Sequence, residues 1–527
     1  MNHLLSLTAG SLGLLVVFLL IPQFLRLPFF VNRLRRTGDV HHTHKAPVPR
    51  LGGLALASAC LVVQFFVSFG APDHGVGSSG LVMLTASLAM FGLGFWDDIK
   101  PLGAKRKLVG QILISLAVCV FGISIQTFKL PFTERIIELH GWGFLITVLW
   151  LVGMTNLINL IDGADGLAGG ICLMLMGLIS YVGAQDGHVA LLAAGMAGAL
   201  LAFLWFNFPP ARVYLGDGGA YLLGFQIGVF SIVVSHKGTV FAALLAPLFV
   251  LALPILDTTL AIVRRGLRGL PIFRPDRRHI HHHLLNMGLS RRKVVLSLYA
   301  LTLVFLAMGL LAFWSQGRLV PVLLGGGALL MLLCAGKLGF SREWFAVHRV
   351  VGKSLAMRPE VQYALCIANW LEMEGGRVAS VENLWSDFNF VAQKLGFTYV
   401  KLTLPDGERV WEQPSLPRAE IKTYSYELEA GRCGHIEVGV PVSLIGPPEP
   451  GNSGPDANEL PGQDLDSMVD PTVFEIVSEL LAEGWAKAGM RWRSRTQLPL
   501  RFDARLTFVE HAGMRAMRRP LAAVADD

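Results

Sequence analysis

The sequence predicts an all-α polytopic membrane protein of about eleven transmembrane helices followed by a C-terminal soluble α/β domain. Three observations lead there. Of the 527 residues, 53% are hydrophobic and only 16% charged, a balance outside that of soluble chains. Apolar runs of about 17 to 25 residues, the length a helix needs to cross the hydrocarbon core, recur as far as residue 340. Beyond Ser341 the chain becomes polar, with amphipathic and alternating patterns. Residues 1–340 are therefore assigned to the membrane and 341–527 to a cytoplasmic domain of unknown role.

The candidate spans begin near Leu4, Gly53, Leu81, Leu108, Phe144, Leu167, Ala190, Gly219, Val240, Val295 and Leu319. Met1 to Leu20 has no basic segment before its apolar run, so it reads as a retained span rather than a cleaved signal. The segments after alternate spans (26–50, 97–107, 160–166, 207–218 and 264–293) hold roughly 20 basic residues, and the intervening segments roughly 4. Lys and Arg in short loops mark the cytoplasmic side. An odd number of spans then places the N-terminus outside and everything past Lys337 in the cytoplasm. In the polar third, Val381–Leu395 reads as helix, and Thr398–Val410, Tyr424–Glu429 and Gly434–Val442 read as strands. Pro447–Pro471 reads as a loop or linker.

Net charge is +7, and no stacking-aromatic or Arg-rich motif accompanies it, so nucleic acid is not an expected partner. Six cysteines without a CxxC indicate neither a disulfide framework nor a zinc site.

An ionisable group at membrane depth is costly and marks function. Five polar clusters sit at span ends, all on the side assigned to the cytoplasm. The first, His44 to Gly53, is a stiff Pro-containing approach whose Lys45 and Arg50 also read as topological anchors. The second holds the adjacent carboxylates Asp97 and Asp98, followed by Lys100, Lys105, Arg106 and Lys107. Paired acids suit a hard cation or proton acceptance, and ammonium groups suit diphosphate oxygens. In the third, Asn156, Asn159 and Asp162 recur every three residues on one helical face, before Gly163, Asp165 and Gly166. EF-hand spacing does not fit, because the closing Glu is missing.

The fourth cluster, Asn207 to Gly219, sets Asp217 between glycines at a span mouth. There it can complete a magnesium site, although a lone Gly-Asp-Gly is otherwise a turn. The fifth contains Arg264, Arg265, Arg268, Arg274, Asp276 and His279 to His283. It reads as a cationic lid for a nucleotide diphosphate, with zinc binding by the histidines as the alternative.

Taken in order, these blocks resemble the polyprenyl-phosphate N-acetylhexosamine-1-phosphate transferases over residues 1–340. The blocks are Pro-Val-Pro-Arg-Leu-Gly-Gly, Asp97-Asp98, Asn-x-x-Asn-x-x-Asp-Gly-x-Asp-Gly, Gly216-Asp217 and His279-x-His281-His282. The resemblance implies magnesium, with manganese as a substitute, held by Asn159 and Asp217, and Asp97 and Asp98 near the metal and the lipid phosphate. It makes Asp162 and Asp165 active-site acids and sets His281 and His282 against the nucleotide sugar. Lys105, Lys107, Asn156, Arg265 and His279 complete the expected substrate contacts, the choice between the two lysines being open. Two positions depart from the family pattern: Pro101 stands where an acid is usual, and Ala220 where a serine is.

The implied substrates are a UDP-N-acetylhexosamine and a polyprenyl phosphate, and a homodimer is allowed. The Pro-Asp-Arg-Arg-His-Ile-His-His form of the last loop resembles the GlcNAc branch more than the phospho-MurNAc-pentapeptide branch. In the expected reaction Asp97 takes the proton of the lipid phosphate, which attacks the β-phosphorus and expels UMP. A double displacement through Asp162 or Asp98 is the alternative. A metal-ion transporter fits less well, because the polar blocks share one face and no internal repeat is visible. An inactive scaffold is the third reading.

Overall fold

The computed structural model describes residues 2–27, 48–70, 78–129, 136–185, 187–236, 247–271, 284–285, 287–315, 318–337, 352, 354–404, 407–413, 421–428, 434–442 and 471–496. The chain divides into two compact units; among the described residues the first ends at Ser354 and the second begins at Leu355.

The described part of the first unit is helical apart from a short hairpin of β1 (Thr127–Lys129) and β2 (Ile136–Glu138). Its helices are α1 (Asn2–Arg26), α2 (Gly52–Gly70), α3 (Ser78–Ile99), α4 (Ala104–Val120), α5 (Trp142–Ile161), α6 (Leu167–Val182), α7 (Gly187–Asn207), α8 (Gly216–His236), α9 (Ala252–Leu267), α10 (Arg291–Trp314) and α11 (Val320–Lys337). Among the described residues, seven helices are long and apolar enough to cross a membrane: α1, α2, α3, α5, α7, α8 and α10. The protein is a membrane protein.

Seven of the about eleven expected spans meet that length and apolarity among the described residues. Three other expected spans coincide with shorter helices. Helix α4 has only 17 residues and starts on Lys105, Arg106 and Lys107. The apolar stretch of α6 is likewise short, as is the described one in α11, Val320–Met331. The span expected from Val240 begins on residues outside those described.

Helix α8 lies at the centre. Protein buries 94% of its apolar stretch, against 22% for the peripheral α1. Helices α2, α3, α5 and α6 pack around α8, while α1 lies along α7 and α2. Fully buried Tyr221, Phe225 and Phe230 fill the spaces between them. In lipid such packing depends on close backbone approach. At Gly94 of α3, a Cβ would stand 2.5 Å from the Asp217 carbonyl oxygen, so only glycine lets α3 reach the start of α8.

The second unit contains α12 (Arg358–Gly375), α13 (Val381–Lys394), β3 (Tyr399–Leu404), β4 (Gly407–Glu412), β5 (Ile421–Leu428), β6 (Gly434–Pro441) and α14 (Pro471–Thr496). The sheet order is β4-β3-β6-β5, with every pairing antiparallel. Helix and strand are both present as expected, but the sheet is built from hairpins rather than parallel crossovers. The single strand expected over Thr398–Val410 is two strands, because Pro405-Asp406-Gly407 is turn chemistry that the alternation obscures. Ser380 caps α13, its hydroxyl accepting from the Asn383 N–H at 3.2 Å. Trp385, Phe388 and Trp485 pack together in the core of this unit. Residues 447–470 of the expected linker lie outside the described residues, and Pro471 opens α14.

Candidate active site

The last turn of α3 ends in Asp97 and Asp98, and burial assigns the two carboxylates different work. Both are almost inaccessible, at 2% and 3% exposure. Asp98 reaches across to the start of α8. Its Oδ1 accepts from the Asp217 N–H at 3.1 Å and its Oδ2 from the Gly218 N–H at 2.9 Å. A helix start leaves such N–H groups without intrahelical partners and favours negative charge, so Asp98 serves as a cap supplied from another helix. Arg50 adds a guanidinium hydrogen bond to Oδ1 at 3.2 Å.

The backbone at this junction is tightly drawn. Gly52 and Gly53 donate their N–H groups to the Tyr214 and Leu215 carbonyls at 2.9 Å each, and the Tyr214 N–H returns to the Pro49 carbonyl. Gly216 has φ +76°, and a Cβ there would meet the Asp98 carboxylate at 2.7 Å. The Gly-Asp-Gly of the sequence is therefore the pivot that turns the chain into α8 against Asp98.

Asp97 faces the other way. Its Oδ1 accepts from the Leu102 N–H at 2.7 Å, and its Oδ2 forms an ion pair with Lys107. The same Lys107 ammonium lies 2.9 Å from Asp217 Oδ2. Asn159, from the end of α5, donates its amide to Asp217 Oδ1 at 3.1 Å. Asp97, Lys107, Asn159 and Asp217, from four helices, thus meet at one point. Lys105 is exposed, so of the two lysines left open by spacing it is Lys107 that joins the acids.

Beyond α5 the chain turns through Asp162 and Asp165. The Asp162 carboxyl makes no hydrogen bond among the described residues. Burial, and then the negative charge of Asp217, push it well above the usual carboxylate range, while Arg50 opposes them. Asp165 is held in the turn, its Oδ2 accepting from the Ala211 N–H at 3.1 Å. The turn is fixed from both sides. Asn207 Oδ1 accepts from the Gly166 N–H at 2.9 Å, and the Tyr299 hydroxyl donates to the Gly166 carbonyl at 2.5 Å. Asn156 sits one turn back on α5, its amide engaged with Gln111 at 2.6 Å.

Arg265 is buried, with its Nε donating to the Ala261 carbonyl at 3.1 Å. His279, His281 and His282 lie outside the described residues. Ala220 is fully buried one turn into α8.

Sequence reading passed over Gln111 and Tyr299, named Asn207 only as the first residue of the fourth cluster, and gave Arg50 no partner. Gln111 is an amide inside an apolar run, four residues from Lys107, and that position was the available signal. Tyr299 had none, since it acts on a backbone atom far along the chain.

With this geometry in hand, comparison with known proteins is decisive. The profile of glycosyl transferase family 4 matches residues 80–235, which include every acid described above. A Bacillus subtilis protein, a probable undecaprenyl-phosphate N-acetylglucosaminyl 1-phosphate transferase, is 34% identical over 306 residues, covering 56% of this chain and 82% of the relative. The chain belongs to glycosyl transferase family 4. This family member is a phospho-sugar transferase. A Mycobacterium leprae decaprenyl-phosphate N-acetylglucosaminephosphotransferase is 36% identical, covering 54% of this chain and 76% of its own length. A Listeria innocua phospho-N-acetylmuramoyl-pentapeptide-transferase is 34% identical, covering 54% and 90%.

Proposed function

We propose that this transferase moves N-acetylglucosamine 1-phosphate from UDP-GlcNAc to a polyprenyl phosphate, releasing UMP, with its acids at the cytoplasmic face of the cell membrane. The observation that carries the reading is the meeting of Asp97, Lys107, Asn159 and Asp217 at the ends of membrane helices. It sets an ammonium among carboxylates where a lipid headgroup and a soluble diphosphate can both arrive. The basic bias of the loops on that side supports the orientation. The GlcNAc-named relatives and the form of the last loop support the sugar, with the phospho-MurNAc-pentapeptide donor as the alternative.

The donor set fits a hard divalent cation, magnesium or manganese. Asp217 and Asn159 bring a carboxylate and an amide to one point, and turning the Asn159 amide end for end presents its oxygen there. Among the described residues no three acidic, His or Cys side chains form a cage, and magnesium characteristically takes one or two carboxylates and completes its shell with water and phosphate. When bound by Asp217 and Asn159, the cation would neutralise charge on the diphosphate.

The chain's own groups then divide the work. Lys107 draws the lipid phosphate beside Asp97, which accepts its proton, and the phosphate oxygen bonds to the β-phosphorus as the bond to UMP breaks. Asp162, whose carboxyl makes no hydrogen bond among the described residues, is the second candidate acceptor. Asp98 is a poor nucleophile for a double displacement, since its oxygens already accept from two N–H groups and Arg50.

The test is transfer of labelled GlcNAc phosphate into an extractable lipid by purified full-length protein with magnesium. Label in lipid with UMP release, lost in Asp217→Ala, supports the reading. Transfer only from the peptide-bearing donor would replace the sugar, and no transfer by folded protein from either donor would overturn the reading. Asp97→Asn and Asp162→Asn, compared across pH, separate the two candidate acceptors.

A further inference from the structure

The helices that carry Lys107 and Asn159 are joined one turn behind them. Gln111 follows Lys107 by four residues on α4, and Asn156 precedes Asn159 by three on α5, so each pair shares a helical face. Asn156 Nδ2 donates to Gln111 Oε1 at 2.6 Å and to the Val152 carbonyl at 2.8 Å, using both of its amide hydrogens. Gln111 Nε2 returns a longer bond to Asn156 Oδ1 at 3.4 Å. Gln111 is fully buried.

We propose that Gln111 is a positioning residue for the transfer reaction. Paired with Asn156, it sets the rotation of α4 against α5 and hence the place of the Lys107 ammonium relative to Asn159 and Asp217. The inference rests on the transferase reading given above.

The physical need for such a clasp is visible along α4. Its buried residues are Gln111, Ser115, Val118 and Cys119, while Leu108, Val109, Leu113 and Leu116 are exposed. Val118 and half-buried Ile114 are the apolar side chains that α4 sets against the core, so few contacts resist its rotation, and between membrane helices polar side chains supply the directional bonds that packing lacks. A side chain stands about 5 Å from its helix axis, so a 20° rotation of α4 would carry Lys107 by roughly 2 Å. A misplacement of about 1 Å is enough to cost a reaction about a hundredfold. The same contacts direct the Asn156 amide hydrogens to Gln111 and Val152 rather than to substrate.

The experiment is steady-state kinetics on purified full-length enzyme with UDP-GlcNAc and polyprenyl phosphate. It compares Gln111→Leu, Asn156→Leu, the double substitution, and the exchanged pair Gln111→Asn with Asn156→Gln. Each single change is expected to lower kcat by about 30- to 100-fold, with both KM values held within about threefold. The double change should be no worse than the poorer single one, and the exchanged pair should recover most of kcat. Additive losses, a raised KM for the UDP-sugar at unchanged kcat, or no rescue by the exchange would overturn the proposal.

A second readout is independent of activity. Spin labels at Leu113 of α4 and Leu149 of α5, both exposed, placed in a background without native cysteines, should give one narrow distance in the parent and a broad one after Gln111→Leu. Equal distributions would overturn the clasp even if the enzyme proved to use other substrates. Narrow and broad distributions in a protein that transfers nothing would retain it and reject the transferase reading alone.

Discussion

Replacing Asp98 separates a carboxylate that performs chemistry from one that holds another in place. Its oxygens accept from the Asp217 and Gly218 N–H groups and from Arg50, whose side chain is only 14% exposed. Leaving a buried donor unsatisfied costs about 1 to 3 kcal/mol, so Asp98→Ala, which strands both N–H groups, should destabilise by about 4 kcal/mol. For a chain of this size that is a fall of very roughly 8 °C in thermal midpoint. Asp98→Asn keeps one oxygen acceptor and should lose only about 1 to 2 kcal/mol, because Asn and Asp cap helix starts almost equally well. Activity should follow position. Once Gly216 and Asp217 drift by about 1 Å the alanine variant should lose about a hundredfold or more in kcat, and the asparagine variant clearly less. Thermal unfolding in detergent and lipid-transfer kinetics on the same preparations are the measurements. Equal losses of activity in both variants at an unchanged midpoint would refute the capping role and make Asp98 a participant in the chemistry.

Lys107→Met should abolish transfer yet tighten Mn²⁺ binding to substrate-free enzyme by about tenfold in an electron paramagnetic resonance titration, because ammonium and cation draw on the same Asp217 carboxylate; weaker binding would show that Lys107 builds the metal site. Gly94→Val should push α3 from the start of α8, where a Cβ already meets a carbonyl oxygen at 2.5 Å, and lower both expression of folded protein and kcat by more than about tenfold; unchanged kinetics would show that the approach is not needed. Truncation after Lys337 should leave transfer within about threefold of the full chain, as the described acids and their partners all precede it; loss of activity in a folded truncation would assign the second unit a part in the reaction.

The sequence alone determined the membrane class and the family and supplied the candidate acids, because each rests on signals local in the chain. Apolar length identifies a span, and ordered blocks such as Asn-x-x-Asn-x-x-Asp-Gly-x-Asp-Gly identify chemistry, without knowledge of neighbours. Among the described residues seven of its expected spans are long and apolar enough to cross, while α4 and α6 are shorter helices. Sequence reading merged β3 and β4, because the alternating pattern runs on across the sequence Pro-Asp-Gly.

What only the tertiary structure decided was which of two similar residues does which work. Asp97 and Asp98 are adjacent in sequence, yet one pairs with Lys107 and the other caps α8, because successive helical positions differ by about 100° and face different neighbours. Lys105 and Lys107 are equivalent as a string, but only Lys107 reaches Asp217. Gln111 gains a role only when α5 brings Asn156 against it. A side chain's identity is written in the chain, whereas its partner is set by helices that meet from 45 or 110 residues away, and no local pattern encodes that meeting.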